Sequence, residues 1–165
     1  MFTLGCTTQP RTTIQADRLI DNLAATNDKF RSDVAVESYE ALTLGGIDVI
    51  DALVRYSKDN RDAWPCFHGS YRGRCTVGRV CWDILNYLMY GDRPKAYRHS
   101  IFDDYSTQEW WQARRGRSLR TLMIEARKYA IEKVKREYPV GDPWREECLN
   151  YYRRELEEAQ RNKNS

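Results

Sequence analysis

Apolar side chains recur every three to four positions along most of this chain, and that interval predicts helices. Starting at Thr13, Ala16, Leu19, Ile20, Leu23 and Ala24 share one helical face, with Asn27 as the stop. Ser32 is the expected N-cap of a second helix with Ala35, Tyr39 and Leu42 on its face. The Gly45-Gly46 pair should end that helix, because glycine enters the left-handed C-cap conformation without steric cost. Ile47, Ile50, Leu53 and Val54 then mark a short third helix that leaves through Ser57-Lys58-Asp59-Asn60. So tight a connection predicts a helical hairpin over 32–57, antiparallel and packed face to face.

The clearest stripe is Val77, Val80, Cys81, Ile84, Leu85, Leu88 and Met89, which Gly91-Asp92-Arg93-Pro94 terminates. An irregular connection through Tyr97, His99 and Phe102 follows. Ser106 or Thr107 should cap a short helix containing Trp110 and Trp111, broken at Arg115-Gly116. Ser118 should cap a longer one with the stripe Leu119, Met123, Ala126, Ala130 and Val134, ending at Tyr138 before Pro139-Val140-Gly141. Asp142-Pro143 reads as an N-cap followed by proline at the first helical position, where the missing amide hydrogen costs nothing. The last helix shows Trp144, Cys148, Tyr152 and Leu156 on one face, and its charged end from Glu155 to Lys163 is expected to fray. Tyrosine in place of leucine predicts a partly wet seam there.

No segment alternates with period two, so the expected fold is all-α, a compact helical bundle or short helical stack of six or seven helices. Residues 1–12 read as a tail or tether and 13–163 as one helical domain. With 41% hydrophobic and 31% charged residues, the chain falls outside the disordered class. No run approaches the ~20 apolar residues that span a bilayer, so no transmembrane helix is expected.

The net charge of +3 is unevenly spread. Residues 1–54 carry four basic and eight acidic side chains, while 55–98 and 107–138 each carry nine basic and four acidic. Such a split can steer an acidic partner.

Glu40-Ala41-Leu42-Thr43-Leu44-Gly45-Gly46-Ile47-Asp48-Val49-Ile50-Asp51-Ala52-Leu53-Val54 resembles the HEAT-type helical repeat, and Val77 to Leu85 looks like the start of a following repeat. The resemblance covers residues 32–90 and implies a binding scaffold, since such repeats work through extended surfaces. The aromatic segment 60–76 stands where these repeats have a short connection, and it reads as an ordered loop. Leu4-Gly5-Cys6 resembles the end of a lipoprotein signal, which implies Cys6 as a lipidation candidate and a lipid anchor at the cell envelope. Without that anchor the expected location is cytoplasmic.

Cys66, His68, Cys75 and Cys81 match the ligand number of a zinc site, but Cys-x-x-Cys spacing is missing and Cys81 belongs to a core stripe. No metal and no cofactor is therefore expected. A Cys66–Cys75 disulfide and two reduced thiols are the alternatives: eight intervening residues, including Gly69 and Gly73, can curl the ends together, while spacing alone does not fix connectivity. Closing that loop would stabilise by roughly 2–3 kcal/mol and would imply an oxidising compartment.

His68 and His99 are the natural candidates for acid–base work, yet neither sits in a catalytic motif. Trp110 and Trp111 stand beside Arg114, Arg115, Arg117 and Arg120, a mixture enriched at binding hot spots. Since adjacent helical residues point about 100° apart, burying Trp111 should leave Trp110 nearer the rim. The sequence thus points to a non-catalytic module that binds another protein through Trp64, His68, Tyr71, Arg72, Arg74, Trp110, Arg114 and Arg117. Nucleic-acid binding through the basic segments is the alternative, and a small hydrolase using a histidine is a third reading.

Overall fold

The computed structural model describes residues 11–25, 31–63, 75–92 and 99–161. Among these residues the fold is all-α: α1 (Arg11–Asp21), α2 (Ser32–Leu44), α3 (Ile50–Arg55), α4 (Val77–Tyr90), α5 (Thr107–Gln112), α6 (Leu119–Glu137) and α7 (Pro143–Arg161). Single 3-10 turns at Gly46–Val49 and Ile101–Asp103 complete it. Backbone contacts group the chain into two units, Met1–Cys81 and Trp82–Ser165. The hydrophobic pattern does not mark this division, because the α4 stripe runs unbroken across it.

In the first unit, α1 buries Ala16 and Ile20 but stops at Asp21, short of the expected Asn27. Leu23 and Ala24 are buried all the same, in a turn where the Leu23 amide donates to the Ile20 carbonyl and the Ala24 amide to Asp21. Their apolar spacing continues past the helix because the turn buries them as well. The helix yields to pairing with a distant backbone, since the Ala25 amide donates to the Asp62 carbonyl at 2.6 Å.

Arg31, not Ser32, occupies the N-cap of α2, in extended conformation and without a side-chain bond, so the serine begins the helix. Ala35, Ser38 and Leu42 form its buried face, and the Ser38 hydroxyl accepts from Asn22 Nδ2 at 3.0 Å. The glycine pair ends α2 as expected, with Gly46 at φ 59. Gly45 is required by a close approach: a Cβ there would lie 2.3 Å from Val49 Cγ1. The segment after the glycines begins as a 3-10 turn before becoming α3. α2 and α3 each pack on α1 more extensively than on each other, so the face-to-face hairpin expected over 32–57 gives way to a three-helix arrangement around α1.

Every member of the α4 stripe is buried. Full burial of such side chains is worth about 1.5–3 kcal/mol each, so packing rather than intrinsic propensity holds this helix. The Thr76 hydroxyl caps its first turn by accepting from the Arg79 amide at 3.2 Å, and Gly91 at φ 71 closes its end.

In the second unit, Arg120 near the start of α6 reaches Ala159 near the end of α7, so the two 19-residue helices run antiparallel. Among the described residues they form the most extensive contact between helices. Both expected caps are present: the Thr121 amide donates to Ser118 Oγ at 3.2 Å and the Trp144 amide to Asp142 Oδ1 at 2.8 Å. Fraying is expected from Glu155 to Lys163, but Glu155 to Arg161 are helical, and Asn162 and Lys163 lie outside the described residues. Arg120 Nε donates to the Ala159 carbonyl at 2.9 Å and its Nη2 to the Gln160 carbonyl, which satisfies carbonyls that would otherwise lack partners and keeps α7 helical to Arg161. The seam is also drier than expected, because Tyr152 is fully buried. Its ring meets Tyr90 edge-on at 6.4 Å and Tyr151 at 5.3 Å. The Tyr90 hydroxyl accepts from the Ile101 amide at 2.9 Å and donates to the Ala126 carbonyl at 3.3 Å, so this tyrosine joins a loop to a helix from inside the core.

Candidate functional site

Five of the residues expected to make contacts, Trp64, His68, Tyr71, Arg72 and Arg74, lie outside the described residues, as do Cys66 and Cys6. The structure shows how the chain leaves and re-enters around the segment 64–74. The Ala63 amide donates to the Cys75 carbonyl at 2.9 Å, the Val77 amide to the Arg61 carbonyl at 2.9 Å, and Asp62 and Thr76 form an antiparallel bridge between them. A second bridge joins Ala63 to Ala24. Segment 64–74 therefore departs from and returns to one place, a stem made of backbone from 24–25, 61–63 and 75–77.

Side chains lock this stem. Arg61 holds Asp21 Oδ1 at 2.5 Å through Nη1 and Asp59 Oδ2 at 2.8 Å through Nη2, while its Nε lies 2.9 and 3.2 Å from the two Asp59 oxygens. Burial works against ionising Asp59, but hydrogen bonds from the Arg61 side chain and amide outweigh it and leave the carboxyl below its ordinary range. The two carboxylates in turn push the Arg61 guanidinium upward. Gly78 admits the turn 57–59 against α4: a Cβ there would lie 2.7 Å from the Ser57 carbonyl oxygen and 2.9 Å from the Asp59 amide.

Cys75 is half-buried at the rim of the stem. Cys81 is fully buried in α4, and burial first, with the Asp59 charge adding to it, pushes its thiol up to about 12. Cys81 is thus a core side chain, in keeping with its place in the stripe.

The second unit assembles a different cluster, around His99. The imidazole is 3% exposed; Nδ1 lies 3.4 Å from the Tyr152 hydroxyl and Nε2 lies 3.5 Å from Glu137 Oε2. Tyr138 and Tyr152 meet the ring edge-on at 5.7 and 5.8 Å. Spacing along the chain gave no sign of this carboxylate, which comes from the last turn of α6. The order hydroxyl, imidazole, carboxylate is that of an activated nucleophile. Here the hydroxyl belongs to a fully buried tyrosine, and the cluster joins 99–100 to α6 and α7.

Lys133, 6% exposed, extends the cluster: Nζ lies 3.2 Å from Asp103 Oδ2, 3.4 Å from Asp104 Oδ1 and 3.8 Å from Glu137 Oε1. Burial disfavours its charge, but the Asp103 hydrogen bond and the two aspartates prevail and raise it above the ordinary lysine value. The Tyr129 hydroxyl donates to Asp104, which that bond and then Lys133 hold below the ordinary carboxylate value. A capping box, in which the Phe102 amide donates to Ser100 Oγ and the Ser100 amide to Asp103 Oδ2, fixes the same short segment from within.

The basic segment departs most from expectation. Trp110 and Trp111 are both buried, at 2% and 6% exposure, and the deeper of the two is the one expected near the rim. α5 has six residues and is covered across an arc wide enough to enclose both rings, with Phe102 edge-on to Trp110 at 4.9 Å. Trp110 is therefore a core residue rather than a contact residue. Arg114 stacks on the Trp110 ring at 5.3 Å and donates through Nε to Glu125 Oε1 at 2.7 Å, and Arg117 donates to the other oxygen of Glu125 at 2.8 Å. One carboxylate thus neutralises part of the expected basic surface, and Arg120 is engaged with the end of α7.

No family model, curated protein or solved structure matches this chain, so its functional reading rests on its own residues and geometry.

Proposed function

We propose that this chain is a non-catalytic helical module that binds another protein, with segment 64–74 as its contact element. One observation carries the reading: backbone hydrogen bonds and bridges draw together the two ends of a segment that is aromatic, basic and free of carboxylates. The eleven residues between Ala63 and Cys75 include Trp64, Phe67, His68, Tyr71, Arg72 and Arg74 and no Asp or Glu. Aromatic and arginine side chains are the usual anchors of an interface. The composition suits a partner that presents an acidic, partly apolar patch. A Cys66–Cys75 disulfide belongs to the same proposal, since it would tether the segment at its rim; the mass difference with and without reductant measures it.

The test is to replace 64–74 by Asn-Gly, a two-residue turn that suits antiparallel strands already bonded at Ala63 and Cys75. The variant should melt like the full chain and lose partner capture; retention of the partner by a folded variant refutes the proposal. Nucleic-acid binding through the basic segments 55–98 and 107–138 is the second reading; within 107–138, Glu125 already engages Arg114 and Arg117. A low-salt titration with single-stranded oligonucleotides decides between the two, since phosphate contacts weaken steeply with salt.

A further inference from the structure

We draw no further inference here: the strongest candidate, the buried Arg127 guanidinium on α6 whose Nε and Nη1 lack a hydrogen-bond partner, carries nothing because Glu155 and Glu158 of α7 already direct negative charge at it, so that an entering anion would meet two carboxylates.

Discussion

Replacing Arg127 by methionine should stabilise this protein. Arg127 is 4% exposed in a helix face it shares with Leu122, Ala126, Ala130, Ile131, Lys133 and Val134, and two of its nitrogens make no hydrogen bond. Burial dominates its electrostatics and draws the guanidinium below its ordinary value, against the weaker pull of Glu155 and its neighbours. A buried polar group without a partner costs about 1–3 kcal/mol. Exchanging buried charges for apolar side chains of similar volume is often neutral or stabilising by about 1–4 kcal/mol. Methionine keeps the unbranched stem and deletes the donors, while the lost attraction to Glu155 and Glu158 subtracts from the gain. The expected net is about 1–2 kcal/mol of added stability, or roughly 2–8 °C in Tm for a chain of this length.

Urea unfolding followed by far-ultraviolet circular dichroism measures the change, with an unaltered slope showing that the unfolded state is the same. Coupling is read by adding Glu155→Gln to both backgrounds. It should cost stability when Arg127 is present and almost none when methionine replaces it. A loss exceeding 1 kcal/mol in Arg127→Met would refute the reasoning, since the guanidinium would then be contributing more than its burial costs.

Further outcomes follow from the stem and the His99 cluster. Gly78→Ala forces a methyl group into the Ser57 carbonyl and the Asp59 amide, and it should destabilise by about 1–3 kcal/mol in the same urea assay; a change below 0.5 kcal/mol contradicts the close approach. Arg61→Gln should cost about 1 kcal/mol, because its ion pairs are partly exposed, and should speed hydrogen exchange at the Ala63 and Val77 amides while leaving that of α6 unchanged. Asp59 has a folded value below its unfolded one, so its contribution is complete above the ordinary aspartate range and fades as pH falls through and below it. The acid limb of stability should accordingly flatten in Arg61→Gln, and an unchanged limb would remove Arg61 as the cause. Lys133→Met leaves Asp103 and Asp104 facing each other without their shared cation, and should cost about 1–3 kcal/mol with loss of exchange protection at Phe102. Protection that stays at the wild-type level would show that the capping box alone holds that segment.

Much of the architecture was legible because helix formation is local. Val77 to Met89 announced α4, and the caps at Ser118 and Asp142 announced α6 and α7, since each signal lies within a few residues of the element it specifies. The apolar spacing of α1 persists through Ala24, beyond the end of the helix, and the Ala25 amide bonds to the Asp62 carbonyl in place of a further helical turn. The charged sequence from Glu155 gives no local sign of order, because the arginine that holds the end of α7 comes from α6, 39 positions away.

The sequence by itself determined that the chain is helical, where most helices lie, and that an aromatic and basic segment follows Ala63, because periodicity and capping act over a few residues. Tertiary structure alone decided that the ends of that segment meet, that His99 gains Glu137 and Tyr152, and that Trp110 is enclosed while Glu125 occupies the nearby arginines. Each of those outcomes joins residues distant in the chain, and proximity across such distances is set by how the helices pack, a quantity that no local pattern encodes.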